Sequence, residues 1–364
     1  MANPFKPSAG TSPPELIGRE EDLQRISEAL VDGPGAPGRV SLFTGSRGIG
    51  KTVMLNEFEA VFVADGWLSI TATAVPTVLD DLSVRVEALL RDQAPEPRRR
   101  LSGVTLPGGV GAEWENADPS RADLRMRITR LLDLLAPDRG LVITVDEVHG
   151  GERDQLRTIA ATSQHLMRED RQFALAMAGL PSAVSNLLSD HVLTFLRRAD
   201  RHDLKALTVD DVEDALRHTV EANGRRLDRG AGRAAAEATA GYPFMVQLVG
   251  HQMWRAGSGD TITEDDVVRG VALARRRLRE LVHETALNDL SDVDRAFLRA
   301  MAVDDGPSRV ADIAKRLDKG SQYVNTYRGR LSAAGVIESP ARGRLDFSIP
   351  YLRDTLRQMS GELS

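Results

Sequence analysis

Eight consecutive residues carry the sharpest chemical signal in the chain. Gly45-Ser46-Arg47-Gly48-Ile49-Gly50-Lys51-Thr52 match the pattern GxxxxGK[ST], between an expected strand and an expected helix. Glycines let such a loop curl so that its backbone N–H groups face phosphate oxygens, and the following helix adds its positive end. Lys51 is expected on the β- and γ-phosphates and Thr52 on Mg²⁺. A second signal stands 95 residues after Lys51. Leu141-Val142-Ile143-Thr144-Val145-Asp146-Glu147 is an apolar run that delivers two acids at its C-terminal end, where open α/β sheets bind ligands. There Asp146 would hold the metal through water, and Glu147 would orient and deprotonate the water that attacks the γ-phosphate. The two motifs together imply ATP and Mg²⁺ as cofactors and hydrolysis as the reaction.

Both motifs need a sheet to hold them, and the apolar pattern supplies one. RVSLF (39–43), WLSITATA (67–74), LVITVDE (141–147) and FALAMAGLP (173–181) read as strands. Between and around them, helical spacing runs through 18–32, the stretch after Thr52, 78–92, 121–136 and 155–169. Continuous apolar strands alternating with helices imply a parallel sheet covered on both faces. The expectation is an α/β domain over 15–207, after a flexible Pro-rich tail at 1–14. A β-hairpin insertion is expected at about 101–116, its strands joined by Pro107-Gly108-Gly109.

From Thr208 the pattern is helical, and 208–285 is expected to form a lid. A third unit, 286–364, reads as helices at 291–303, 309–317 and 321–334 followed by a two-strand ribbon, the layout of a winged helix-turn-helix. In it Ser321 is the expected N-cap of the last helix and Gly335 its C′ residue. Val324, Tyr327, Leu331 and Ala334 should pack inward, leaving Gln322 and Asn325 outward with Arg328 and Arg330 on the flanks. Residues 309–344 carry eight Arg or Lys against three Asp or Glu. That excess suits a helix in the major groove of double-stranded DNA, with Arg342 and Arg344 on the wing reaching phosphates.

Composition narrows the field further. The chain of 364 residues is 41% hydrophobic and 27% charged, enough to bury a core. It has no cysteine, which removes disulfide frameworks, thiol catalysis and Cys-ligated zinc; seven scattered histidines show no metal-ligand spacing. Its longest apolar stretches are of strand length, so no membrane partner is expected, and nothing near the N-terminus reads as a signal peptide. A cytoplasmic location is the expectation. Of 47 basic residues only five are Lys, so each Lys stands out.

With these motifs in place the sequence resembles the AAA+ and STAND NTPases, and within them the origin-initiator-like branch, over roughly residues 14–357. Pro14-Glu15-Leu16-Ile17-Gly18-Arg19-Glu20 is similar to the N-terminal box of that branch, which implies Ile17 and Gly18 beside the adenine. Gly241-Tyr242-Pro243 resembles a STAND lid motif, implying Tyr242 and Pro243 near the nucleotide. Thr194 to Arg201 lies where such proteins carry an arginine finger, and Arg198 is the first choice, with Arg197 and Arg201 in reserve. Two departures matter. The strand at 173–181 ends without the polar sensor residue, and the Gly-Tyr-Pro segment lacks a sensor arginine unless Arg233 or His251 takes its place.

The resulting expectation is an ATP-dependent switch that forms an ATP-dependent homo-oligomer through Arg198 and acts on DNA. The alternative is a nucleotide-gated scaffold or regulator whose winged helix contacts a protein partner. A kinase acting on a small molecule is disfavoured, since no acceptor-binding pattern is visible.

Overall fold

Five strands form one parallel sheet in the order β2-β3-β4-β1-β5: β1 (Val40–Thr44), β2 (Leu68–Thr73), β3 (Leu141–Asp146), β4 (Phe173–Gly179) and β5 (Asp200–Asp203). The structure, a computed structural model, describes residues 2–8, 10–94, 123–190 and 193–361. The hairpin expected at 101–116 lies outside them. Strand alternation sorts the core onto two sides. Leu42, Ile143, Leu175 and Met177 face helices α3 (Val78–Gln93), α4 (Leu124–Leu134), α5 (Arg153–Arg168) and α6 (Pro181–Ser189). Phe43, Val142, Ala174 and Ala176 face α1 (Glu20–Asp32) and α2 (Lys51–Ala64). The alanines on that side leave room for Phe58 and Phe62 of α2, whose rings lie 5.0 Å apart.

Past β5, four helices pack around a core of their own: α7 (Val209–Ala222), α8 (Arg229–Glu237), α9 (Pro243–Ala256) and α10 (Glu264–Leu278). Thr208 caps α7 through the Asp211 amide, Pro243 opens α9, and Thr263 and Asp266 form a reciprocal capping box on α10. Two strands of two residues each, β6 (Arg226–Leu227) and β7 (Thr261–Ile262), pair within this unit. After α10 the chain stays helical through a π-turn at Arg279–His283 into α11 (Glu284–Asn288), so one irregular helical rod leads into the C-terminal unit.

That unit contains α12 (Asp292–Ala302), β8 (Ser308–Arg309), α13 (Val310–Leu317), α14 (Ser321–Ala333), β9 (Ile337–Ala341), β10 (Arg344–Phe347) and α15 (Leu352–Gly361), with the strands ordered β8-β10-β9. Val324 and Leu331 are fully buried in its core, and Tyr327 and Ala334 pack against it. Gly335 follows α14 with φ +69°. The cap differs from expectation: Gly320 is the N-cap residue and Ser321 begins the helix, with no side-chain cap bond.

The N-terminal segment also differs from expectation. Instead of a flexible tail, residues 2–8 lie on the lid: Phe5 is 3% exposed in its core, and the Asn3 amide donates to the His251 carbonyl at 3.0 Å. Further along, Asn56 donates to the Gly10 carbonyl and Ser12 to the Glu57 carboxylate, both at 3.0 Å. The apolar Phe5 finds a slot beside Gly250 of α9, where a Cβ would come 2.3 Å from its ring.

Candidate nucleotide site

The phosphate-loop motif sits where β1 ends and α2 begins, and Lys51 is the first residue of α2. Gly50 precedes the helix at φ +101° and Gly48 holds φ +71°, both in the left-handed region that disfavours side chains. Ile49 turns into the core beside α1 and α2 and anchors the loop from below. Lys51 is 7% exposed and its Nζ donates to the Gly45 and Ser46 carbonyls at 3.1 and 2.8 Å. Burial holds its pKa below the ordinary lysine value, against the opposing pull of Glu147 and Asp146. These two carbonyl bonds are the ones a phosphate would displace.

From two strands away, β3 delivers its acids to the same place. Thr52 Oγ1 donates to Asp146 Oδ2 at 2.6 Å, and the Glu147 amide donates to Asp146 Oδ1 at 2.7 Å. Glu147 itself stands at φ +55° and half exposed, its Oε2 3.0 Å from His149 Nδ1. The hard oxygens of Thr52 and Asp146 suit a Mg²⁺ ion. Among the described residues no cluster of three or more His, Cys, Asp or Glu stands ready for a metal, so the remaining oxygens would have to come from phosphate and water.

The lid meets the loop through Tyr242. Its hydroxyl donates to the Arg47 carbonyl at 2.8 Å, and a Cβ on Gly48 would fall 1.9 Å from it. Burial raises the Tyr242 pKa, so the hydroxyl keeps its proton. Tyr242 is the N-cap of α9 and Pro243 its first residue. Ile17 packs against the lid core, and Gly18, at φ +61°, lies beside Leu207 and Asp211 between the sheet domain and the lid. The C-terminal unit reaches the loop as well: Arg47 Nε donates to the Ala334 carbonyl at the end of α14, at 3.1 Å.

Arg198 ends a 3₁₀ turn just before the edge strand β5, exposed and without a hydrogen bond or ion pair among the described residues. Its neighbours are engaged: Arg197 donates to the Leu188 carbonyl at 2.9 Å and Arg201 to that of Arg197 at 3.4 Å. Arg233 pairs with Asp210 and Glu237 within the lid, and the His251 carbonyl is taken by Asn3. In the C-terminal unit Gln322, Asn325, Arg342 and Arg344 are exposed and Arg328 is partly buried. Arg330 is committed to the buried Asp294 at 3.0 Å and lies over the Tyr327 ring.

Three contacts escaped sequence reasoning: Tyr242 with Arg47, Arg47 with Ala334, and His149 with Glu147. The first two join residues 195 and 287 positions apart, beyond any local pattern. The third had a signal, a histidine two residues after the second acid of a strand end.

Comparison with known proteins agrees with this geometry. Residues 15–173 match the family described as the AAA ATPase domain, and residues 280–356 match a domain of unknown function, DUF8462. No curated protein matches the chain in sequence. In structure it is similar to the Walker-type ATPase paby2304 of Pyrococcus abyssi, at 16% identity and TM-score 0.69, over 95% of this chain and 97% of that one. It is also similar to the ORC2 protein of Aeropyrum pernix in its ADPNP-ADP complexes, at 14% identity and TM-score 0.62, over 98% of both chains. Cdc6p of Pyrobaculum aerophilum follows at 17% identity and TM-score 0.50, over 98% of this chain and 96% of that one. At such identities these likenesses speak for the fold.

The match of residues 15–173 to the AAA ATPase domain, on a sheet of the fold these structures share, supports an ATP-hydrolysing P-loop enzyme. Within the chain, the stretch that matches the ATPase family holds the phosphate loop and the Asp146-Glu147 pair. No helix among the described residues is long and apolar enough to cross a membrane.

Proposed function

We propose that the chain is a nucleotide-driven switch of the AAA+/STAND type whose C-terminal unit is a winged helix acting on double-stranded DNA. The observation that carries the nucleotide part is the 2.6 Å bond between Thr52 and Asp146, which joins the phosphate loop to the acidic strand end. On this reading Gly45, Ser46, Arg47, Gly48, Ile49 and Gly50 wrap the phosphates with backbone N–H groups, and Lys51 exchanges its two carbonyl partners for phosphate oxygens. Ile17, Gly18, Tyr242 and Pro243 border the base and ribose. A Mg²⁺ ion held by Thr52 and Asp146 would offset phosphate charge, and Glu147 draws the proton from the attacking water. Arg198, exposed and without a partner among the described residues, is the group offered to the γ-phosphate of a neighbouring copy.

The outward residues Gln322, Asn325 and Arg328 and the wing residues Arg342 and Arg344 would meet the duplex. The test is light scattering after size exclusion on Glu147→Gln, with and without Mg-ATP and with a duplex DNA fragment. A mass gain that requires ATP and grows with DNA is expected, and DNA binding should weaken as salt rises. A particle that binds ATP, remains a monomer and ignores DNA would remove both the oligomer and the DNA role.

A second reading, a nucleotide-gated scaffold whose C-terminal unit holds a protein partner, draws support from Arg330. Its pairing with Asp294 subtracts one positive charge from the face assigned to DNA. ATP-dependent capture of a purified protein partner together with absent DNA affinity would select this reading.

A further inference from the structure

We infer that His149 is a positioning residue for Glu147, holding its carboxylate through Nδ1 where the attacking water must be deprotonated. The inference deepens the reading of Glu147 as the base and rests on it.

The turn after β3 is fixed at several points. Its first amide is held by Asp146 Oδ1, the Gly150 amide donates to the Glu147 carbonyl at 2.8 Å, and the Val148 amide donates to the Ala178 carbonyl of β4 at 3.0 Å. Val148, 3% exposed, turns inward against Gly179, where a Cβ would lie 2.3 Å from its Cγ2. Because Val148 points into the core, the side chains of Glu147 and His149 emerge together on the outer side, and they meet at 3.0 Å. The same packing explains why β4 ends in Gly179: Val148 fills the space where a side chain at that strand end would stand. His149 is therefore a polar group that the turn after β3 places beside the base.

The ring's chemistry fits the task. Burial lowers the His149 pKa, with Arg47 and Lys51 adding to the effect and Glu147 and Asp146 opposing it. A neutral imidazole donates from Nδ1 and leaves Nε2 as an acceptor, so it orients the carboxylate while leaving its negative charge in place. Holding Glu147 also limits the conformations open to a side chain that is half exposed.

The test compares wild type, His149→Ala, His149→Asn, Glu147→Gln and the double variant His149→Ala/Glu147→Gln, in ATP turnover and in ATP binding. His149→Ala is expected to lose about tenfold in kcat with KM and ATP affinity nearly unchanged, a fraction of what a general base contributes. His149→Asn, whose amide nitrogen can stand in for Nδ1, should recover most of that loss. In the Glu147→Gln background His149→Ala should add nothing, because the two act as one unit. Turnover in His149→Ala equal to or above wild type, no recovery in His149→Asn, or additive losses in the double variant would each overturn the proposal and leave Glu147 as the base. Full turnover in Glu147→Gln would instead remove the base, and the proposal with it.

Discussion

Tyr242 contributes a ring and a hydroxyl to the phosphate loop, and the two can be separated. The hydroxyl holds the Arg47 carbonyl, while the ring end fills the space over Gly48. Gly48→Ala combines a side chain at φ +71° with a Cβ 1.9 Å from the Tyr242 oxygen, so either loop or lid must move. We expect a loss of more than about tenfold in ATP affinity, read by titration with a labelled nucleotide; Tyr242→Phe, which removes one neutral hydrogen bond worth about 1 kcal/mol, should cost several-fold less. At this scale the sequence was informative where chemistry is local. Gly45 to Thr52 and the Asp146-Glu147 pair stand out in the sequence because each is a contiguous motif, and the structure brings them together through Thr52 and Asp146. The Tyr242 bond was not, since only the folded chain brings residue 242 to residue 47. Arg39 was likewise silent: it is 1% exposed, closes the end of α1 through the Ala29 and Leu30 carbonyls, and stacks over Trp67 at 4.6 Å.

Elements were legible in proportion to their apolar content. Strands β1 to β4 are apolar runs and were expected within a residue or two of where they lie, whereas β5 reads Asp-Arg-His-Asp and carries no such signal. It survives as an edge strand because His202 alone turns inward, stacking on Phe43 at 4.6 Å. Strands β6 and β7, of two residues each, fall below any periodicity. The π-turn at Arg279–His283 was also invisible, and it makes a prediction. His283 is 1% exposed, hydrogen-bonded to Thr355 and the Pro350 carbonyl at 2.8 Å each, and burial lowers its pKa to about 4. Because the folded state resists protonation and the unfolded state does not, this site is neutral to stability above about pH 6.5. It becomes destabilising as pH falls toward 4, by about 3 kcal/mol in all. Thermal unfolding of the C-terminal unit should therefore fall over that window, and a His283→Gln variant should lose this part of the pH dependence.

Seen as a whole, the molecule gathers its three units around one loop. Tyr242 from the lid and Ala334 from the C-terminal unit both bond to Arg47, one to its carbonyl and one from its guanidinium. Nearby, Gly335 approaches Leu180 so closely that a Cβ would lie 2.7 Å away. We expect Arg47→Ala to loosen the C-terminal unit from the sheet domain without unfolding either, visible as faster hydrogen exchange at 334–336 and a larger radius of gyration. Exchange unchanged from wild type would mean that the apolar contact alone holds the units together. The sequence pattern changes near residues 208 and 286; the contacts across those points, such as Arg47 with Ala334 and Tyr351 with Ala238, join residues too far apart in sequence to leave a local signal. The N-terminal segment adds a limit on travel. With Phe5 seated in the lid and Gly10 bonded to Asn56 on α2, five residue steps separate the two anchors. A chain of that length spans at most about 17 Å. However far the lid swings while both anchors hold, the gap between them cannot exceed that leash, and the helix that carries Thr52 is at its other end.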